Sequence, residues 1–456
     1  MNRGLAIGID IGTTTICMIV LDAATGEILK TLTKQNDAGI KGQYAWEKLQ
    51  DASVIMAQIE QMLLEVHTHY ADIMCIGLTG QMHGIVYIDE KGMAVSPLFT
   101  WQDGRGNLEY QKGLSYADHL SQITGYKLAA GFGAVTHFYN TINKQVPAAA
   151  KNLCTIMDYA AMRLSNAAKP VIHPSNAASI GLFDIKRNQF NTQAIDAAGL
   201  DKTFFPAVSK SIQLMEATTL NTPISVGIGD NQASFIGAVK SSEDCLLVNI
   251  GTSSQLSVYS GYFKESSKLE TRPLIDQDFI LVGAPLCGGR AYALLEHFFR
   301  EIVELATGKE ASNLYDIMEK LAYSFETIEE PLEIATQFCG TRDNPSLRGT
   351  IGRLGTENFT AKHFTIGVLQ GMAGELYELY LAAQKELDVL PKTLVGSGNG
   401  LRMNKPLQQM IAKVFNREVK IPAHKEEASY GAALFALVGT GAFESLKEAQ
   451  GLIRYL

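Results

Sequence analysis

Ile9-Asp10-Ile11-Gly12-Thr13-Thr14-Thr15 returns, 239 residues further on, as Val248-Asn249-Ile250-Gly251-Thr252-Ser253-Ser254. Each copy reads as an apolar strand, a Gly-Thr-Thr/Ser turn and a second apolar strand, and the offset is about half of the 456 residues. That spacing predicts a duplicated domain. A glycine flanked by hydroxyl residues in a tight hairpin lets backbone N–H groups and threonine hydroxyls approach an anion without side-chain obstruction. A single copy reads equally well as a solvated turn. Two copies instead predict that Gly12, Thr13 and Thr14 on one side, and Gly251, Thr252 and Ser253 on the other, grip a triphosphate. Asp10, beside the first turn, would hold the accompanying Mg²⁺ through water. Asn249 at the matching place avoids a second carboxylate.

Around the first copy, Leu5 to Asp10, Thr14 to Leu21 and a run near Ile28 to Thr33 predict an antiparallel meander. Ala52 to Val66 has apolar residues at helical spacing, and Met74 to Leu78 reads as a buried strand, which makes the first half an α/β domain. The polar break Lys240-Ser241-Ser242-Glu243 divides the chain into expected domains 1–240 and 241–456. In the second, Arg290 to Ala306, Lys362 to Leu387, Asn404 to Phe415 and Ala428 to Val438 predict helices, and Thr393 to Gly396 a strand.

Composition narrows the class. Hydrophobic residues make up 46% and charged residues 19%, which excludes collagen-like and wholly disordered chains. With 39 Lys+Arg against 47 Asp+Glu the net charge is −8 and no basic run interrupts it, so neither a nucleic acid nor an anionic membrane is an expected partner. The six cysteines stand singly, without metal-ligand spacing, and read as buried, reduced thiols. No apolar run approaches the ~20 residues of a membrane span, and Asp10 interrupts any leader-like stretch, so a cytoplasmic protein is expected.

Four loops carry candidate chemistry. Thr79-Gly80-Gln81-Met82-His83-Gly84 follows a strand, where open α/β sheets bind ligands. There His83 reads either as a ligand contact or as a satisfied loop histidine. Thr100-Trp101-Gln102-Asp103-Gly104-Arg105 gathers an aromatic, an amide, an acid and a guanidinium, which suits a polyhydroxylated ligand or a surface ion pair. Gly229-Asp230-Asn231 lies between a strand end and a helix start, where Asp230 reads as helix N-cap and as general base. Gly396-Ser397-Gly398-Asn399-Gly400 precedes a helix near Asn404 and would let a nucleotide lie on bare backbone. Leu401 breaks the Rossmann fingerprint, and Gly308-Lys309-Glu310 is no Walker loop. Gly288 and Gly289, before the Arg290 helix, add a second phosphate-facing helix start.

The ordered set Ile-Gly-Ile-Asp-Ile-Gly-Thr-Thr, Gly-Gln-Met-His-Gly, Trp-Gln-Asp-Gly-Arg, Gly-Asp-Asn-Gln-Ala, Asn-Ile-Gly-Thr-Ser and Gly-Ser-Gly-Asn-Gly resembles the FGGY carbohydrate kinases over nearly the whole chain. The resemblance implies two RNase H-like domains, of the superfamily of actin, heat-shock ATPases and sugar kinases, with an interdomain cleft. It implies ATP and Mg²⁺ as cofactors and phosphorylation of a ketose's terminal hydroxyl. By position, Asp230 is similar to the catalytic base and Asp10 to the acid near the metal. Gln81, Met82, His83, Trp101, Asp103, Arg105 and Asn231 fall on the sugar side, and Gly288, Gly289, Gly396, Ser397, Gly398, Gly400 and Asn404 on the nucleotide side. The loops are most similar to the sedoheptulose-using branch. Ala134-Val135-Thr136-His137-Phe138-Tyr139 departs from the xylulose pattern, which ranks xylulose second and ribulose third. A homodimer is entertained as the assembly. The competing expectations are a nucleotide-switched chaperone or filament protein, which would need no sugar loop, and a catalytically dead sugar sensor, at odds with the presence of both Asp10 and Asp230.

Overall fold

The computed structural model describes residues 4–165, 167–216, 221–341, 344 and 346–456. It divides into two compact units, one of residues 1–240, 272–279 and 426–453, the other of residues 241–271, 280–425 and 454–456. The predicted break after Lys240 falls at a unit boundary. Two segments beyond that break, 272–279 and 426–453, pack with the first unit.

In the first unit, Leu5–Ile11 and Thr15–Asp22 form a hairpin, and Ile28–Gln35 pairs antiparallel to the second strand. The helix Ala52–His69, N-capped by Asp51, buries Ile55, Ile59, Met62, Leu63 and Val66 at the predicted spacing. It leads into Ile73–Gly80, which pairs parallel to Leu5–Ile11 on the side away from the hairpin partner. Both central strands are almost continuously buried, as a sheet covered on both faces requires.

One cover is the helix Glu427–Gly439. A Cβ at Gly8 or Gly77 would lie 1.8 or 1.9 Å from the carbonyl oxygens of Ser429 and Ala432, so the helix backbone rests directly on the strands. Its other face meets the helix Asp230–Ala238 equally closely, where a Cβ at Gly237 or Gly431 would overlap the Glu427 or Ala233 carbonyl. Small residues on both faces therefore draw 426–453 into the first unit. Between 85 and 208 a further core gathers Tyr87, Phe99, Leu120, Val135, Phe138, Leu153, Ile180 and Phe183.

The second unit repeats the same order. Cys245–Ile250 and Ser254–Ser260 form a hairpin, and the long helix Ala361–Glu386 precedes Thr393–Ser397, which pairs parallel to Cys245–Ile250. Both hairpins close over three-residue loops, Gly12-Thr13-Thr14 and Gly251-Thr252-Ser253. Leu246, Val248, Ile250 and Leu256 pack with Leu369, Met372, Leu376 and Tyr380 of the long helix. All six cysteines are free thiols; five are buried, and Cys339 is half-exposed, contrary to expectation. Among the described residues no helix is long and apolar enough to cross a membrane.

Candidate active site

In the first unit's sheet, Ile11 lies beside Gly80, and Gly80 beside Gly229 of the short parallel strand Ile228–Gly229. The next residue of each strand is Gly12, Gln81 and Asp230. Three loops of candidate chemistry thus leave one sheet edge at adjacent carboxyl ends, the position where open α/β sheets bind ligands. With strands roughly 4.8 Å apart, Asp230 stands two spacings, about 10 Å, from Gly12.

Every carbonyl of the first turn is tied down. Gly12 O accepts from Asn36 Nδ2 at 2.8 Å, Thr13 O from Gln50 Nε2 at 2.8 Å and Thr14 O from the Asn36 N–H at 2.8 Å. The second unit achieves the same with backbone alone. Gly289 N–H donates to Gly251 O at 2.9 Å, Gly288 and Arg290 N–H to Thr252 O at 3.2 and 3.0 Å, and Gly251 N–H to Ser253 O at 3.0 Å. With their carbonyls held in protein hydrogen bonds, the two turns do not present those acceptors to an anion, which suits an anion site. Gly288 and Gly289 thus position the turn through their N–H groups. Gly251 has no atom within 4 Å of where a Cβ would stand, whereas a Cβ at Gly12 would meet Thr15 O at 2.7 Å. Gly251→Val is therefore expected to leave the melting temperature unchanged and to weaken ATP binding measured by calorimetry, with sugar binding intact. Equal ATP affinity in parent and variant would remove the second turn from the site.

Gly398 has φ +82°, and a Cβ there would lie 2.5 Å from Ile250 O. A Cβ at Gly400 would lie 2.9 Å from the same oxygen, and one at Gly396 would strike Leu401. These glycines seat the loop against the turn, so their bareness serves packing first. Ser397 is buried and accepts from Asn249 Nδ2 at 2.8 Å. Asn404 is the N-cap of the helix Lys405–Phe415, accepting from Leu407 N–H at 3.0 Å.

On the sugar side, the expected contacts separate into two groups. Asp103 and Arg105 are 1% and 2% exposed and pair at 2.7 Å, with Asp103 also accepting from Lys48 N–H and Arg105 donating to Asn140 Oδ1 and covering the Phe99 ring. They brace the loop behind Trp101 through these protein partners. Gln81 is buried, accepts from the Thr13 hydroxyl at 3.3 Å and donates to Gln50 Oε1 at 2.7 Å, so it too links loops. Trp101 donates its indole N–H to Thr13 Oγ1 at 3.0 Å and is 47% exposed. Met82 packs so closely on Gly229 that a Cβ there would lie 2.8 Å from its sulfur. His83 has φ +71°, and Gly84 N–H donates to Met82 O at 2.9 Å across it, the pattern of the rare, strained γ-turn. Its Nδ1 meets the Ser179 carbonyl at 2.8 Å. A carbonyl only accepts, so Nδ1 carries a proton, and in a neutral ring Nε2 is then the acceptor nitrogen.

Asp230 is the first residue of its helix, with Gly229 as N-cap, which corrects the N-cap reading. Its Oδ1 accepts the Asn231 N–H at 2.6 Å. The side chain reaches solvent, yet the protein packed around it raises its carboxyl above the usual range, opposed by that N–H and by Arg272. Arg272, from the returning segment, also donates to Asn231 Oδ1 at 3.2 Å. Half-buried Asp10 is pushed up to about 7, by burial first and then by the charges of Asp230 and Glu426. Three carboxylates thus converge here. Sequence reading missed Glu426 and Arg272, which arrive on the returning segments, and Asn36, Gln50 and Ser179, whose polar types carry no motif. The acidic pair Glu426-Glu427 before a small-residue helix was the available signal for Glu426. A cavity of about 500 Å³ opens beside Thr13, lined by Lys41, Tyr44, Lys48, Gln50 and Gln102, but neither His83 nor Asp230 lines it.

Repeated hairpins with hydrogen-bonded carbonyls, and a row of polar loops on one sheet edge, define a protein of the actin, heat-shock ATPase and sugar kinase fold. A ligand-bound xylulose kinase from Lactobacillus acidophilus matches that fold with a TM-score of 0.81 at 18% identity, over 99% of this chain and 92% of that one. Residues 5–237 match the N-terminal domain, and residues 246–440 the C-terminal domain, of the FGGY family of carbohydrate kinases, and the chain belongs to that family. It is 27% identical to the sedoheptulokinase of Mus musculus, over 96% of this chain and 98% of the relative. It is 24% identical to a gluconokinase of Bacillus subtilis (strain 168), over 98% and 90%. The chain is a carbohydrate kinase, a phosphotransferase.

Proposed function

We propose that this protein transfers the γ-phosphoryl group of ATP to the terminal hydroxyl of a ketose, with sedoheptulose as substrate and Asp230 as general base. The observation that carries this reading is the alignment of Ile11, Gly80 and Gly229, which brings the Gly12 turn, the Met82–His83 loop and Asp230 onto one edge. Asp230 takes the proton of the attacking hydroxyl, and its raised pKa makes it a stronger base than a solvated carboxylate. The hydroxyl oxygen then attacks the γ-phosphorus as the bond to the β-phosphate oxygen breaks, with the Gly12-Thr13-Thr14 turn stabilising the transferring group.

Mg²⁺ fits the charge at Asp10, to which Asp230 and Glu426 add. Among the described residues no three His, Cys, Asp or Glu form a metal cage, and one carboxylate acting through water suits an ion that keeps most of its waters. When bound, it offsets phosphate charge. His83 Nε2 accepts a sugar hydroxyl, and the open face of Trp101 covers the carbon chain. The reading places the work in the cytoplasm.

ADP release over sedoheptulose, xylulose, ribulose, fructose and gluconate tests the substrate. Sedoheptulose should give the highest kcat/KM, with xylulose next; a preference for gluconate would overturn the ketose assignment. His83→Ala should raise the KM for the sugar by the worth of one hydrogen bond, about 1 to 3 kcal/mol or roughly five- to a hundredfold, and leave that for ATP within about twofold. An unchanged sugar KM would leave His83 a loop histidine.

A further inference from the structure

The helix Pro174–Ile180 carries two buried serines four residues apart, Ser175 and Ser179. Residues at i and i+4 lie one above the other on a helix face, about one turn of 5.4 Å apart. Each hydroxyl accepts a backbone N–H from a different loop of the site. Ser175 Oγ accepts from Gly229 N–H at 3.1 Å, immediately before Asp230. Ser179 Oγ accepts from His83 N–H at 3.0 Å, while its carbonyl takes the His83 Nδ1 proton at 2.8 Å. The two hydroxyls are themselves aimed: Ser179 donates to Asn176 O at 2.7 Å, and Ser175 Oγ meets His173 Nδ1 at 2.8 Å, where that nitrogen also accepts the Ser175 N–H.

The helix has a rigid footing. Asn176 Nδ2 reaches Thr155 Oγ1 at 2.7 Å and both Asp158 oxygens at 3.2 and 3.3 Å, and Thr155 donates to Asp158 at 2.7 Å, all of it buried. Against it His83 is held in a backbone conformation that a non-glycine residue adopts only where its surroundings over-determine it. Removing the Ser179 hydroxyl would free the His83 N–H, let the loop relax and shift Nε2, even with the ring bond to the Ser179 carbonyl kept.

From this arrangement we propose that Pro174–Ile180 is a two-point clamp, in which Ser179 positions His83 for sugar binding and Ser175 positions Asp230 for proton abstraction. The proposal rests on the roles given above to His83 and Asp230, and neither serine touches substrate in it. The clamp fixes the separation of the sugar contact from the base by one helical turn, so a sugar seated on His83 presents its hydroxyl to Asp230.

The test is steady-state kinetics of Ser179→Ala, Ser175→Ala, His83→Ala and the Ser179→Ala/His83→Ala double variant, on whichever ketose of the panel the parent turns over fastest. Ser179→Ala should raise sugar KM about tenfold with kcat within about twofold. Ser175→Ala should lower kcat about tenfold with KM little changed, and the double variant should show no rise beyond His83→Ala alone. Melting temperatures and ATP affinity identify any variant that is merely misfolded. If His83→Ala is silent, the sugar role of His83 has failed. If His83→Ala raises KM but Ser179→Ala does not, or its effect persists undiminished in the double variant, the clamp has failed. Amide hydrogen exchange adds a readout free of turnover: the His83 N–H, which Ser179 Oγ accepts at 3.0 Å, should exchange faster in Ser179→Ala than in the parent, while the Nδ1–H tautomer survives because alanine keeps the carbonyl. Unchanged exchange of that N–H would overturn the proposal.

Discussion

Asp230→Asn is expected to lower sugar phosphorylation by about 10²- to 10⁴-fold, the usual contribution of a positioned general base, and to leave the melting temperature within a few degrees of the parent. The two readouts separate because the fold asks little of the carboxylate. Gly229 is the N-cap of the helix, and an asparagine Oδ1 can still accept the Asn231 N–H that Asp230 Oδ1 accepts at 2.6 Å. A first-turn negative charge favours a helix N-terminus by about 0.3 to 1 kcal/mol, and its loss is offset by relief of the repulsion with Asp10. No comparable substitute exists for the chemistry, since a neutral amide cannot take a proton from an attacking hydroxyl. ADP release with sugar saturating, paired with calorimetric ATP binding, measures both sides. Turnover within a few-fold of the parent would leave Asp230 without a catalytic role and send the search for a base elsewhere.

The parts of the fold that sequence reading reached are those made of contiguous patterns. Both hairpins announce themselves as two apolar strands around Gly-Thr-Thr/Ser, and Ile55, Ile59, Met62, Leu63 and Val66 state a helix by their spacing alone. Strands of two residues such as Ile224–Ser225 and Ile228–Gly229 are too short to show a period, although the second carries Asp230 to the sheet edge. Non-local packing was hidden for a different reason. Nothing in the local composition of Glu427–Gly439 says that its two small-residue faces will meet Gly8 and Gly77 on one side and Gly237 on the other, so the segment was assigned to the half in which it lies in sequence.

The site divides the same way. Residue types were legible and orientations were not. Asp103 and Arg105 are as polar as any ligand contact, and only the placement of Phe99, Lys48 and Asn140 around them shows that their polar atoms face protein. Gln81 likewise looked like a sugar amide until Gln50 and Thr13 took its two ends. What sequence could not supply at all was the third carboxylate. Glu426 lies 416 positions from Asp10, yet its charge reaches that residue in the folded unit.

That convergence gives Asp10→Asn two opposite expected effects. Activity should fall about 10²- to 10³-fold, because the variant loses the charge that would organise a cation and the transferring phosphates. Stability of the ligand-free protein should rise. The Asp10 carboxyl is pushed up to about 7, by burial and then by Asp230 and Glu426, whereas in the unfolded chain it titrates near its ordinary value of 3.8. A group whose folded pKa exceeds its unfolded value makes folding less favourable as pH climbs between the two, and the full cost is present above the higher one. Asparagine removes that cost. The gain in melting temperature should therefore be small near pH 4, grow through pH 5 to 7 and level off by pH 8, where each 1 kcal/mol would appear as roughly 1 °C in a chain of this size. Thermal melts in chelator, across that pH range, measure it. A gain that does not change with pH would mean that Asp10 is not strained by ionisation, and a loss at pH 8 would mean that its carboxylate holds the fold together. If the gain appears as expected while turnover collapses, the carboxylate is kept at a cost to the empty fold, and the cation and phosphates are what offset that cost when the substrates bind.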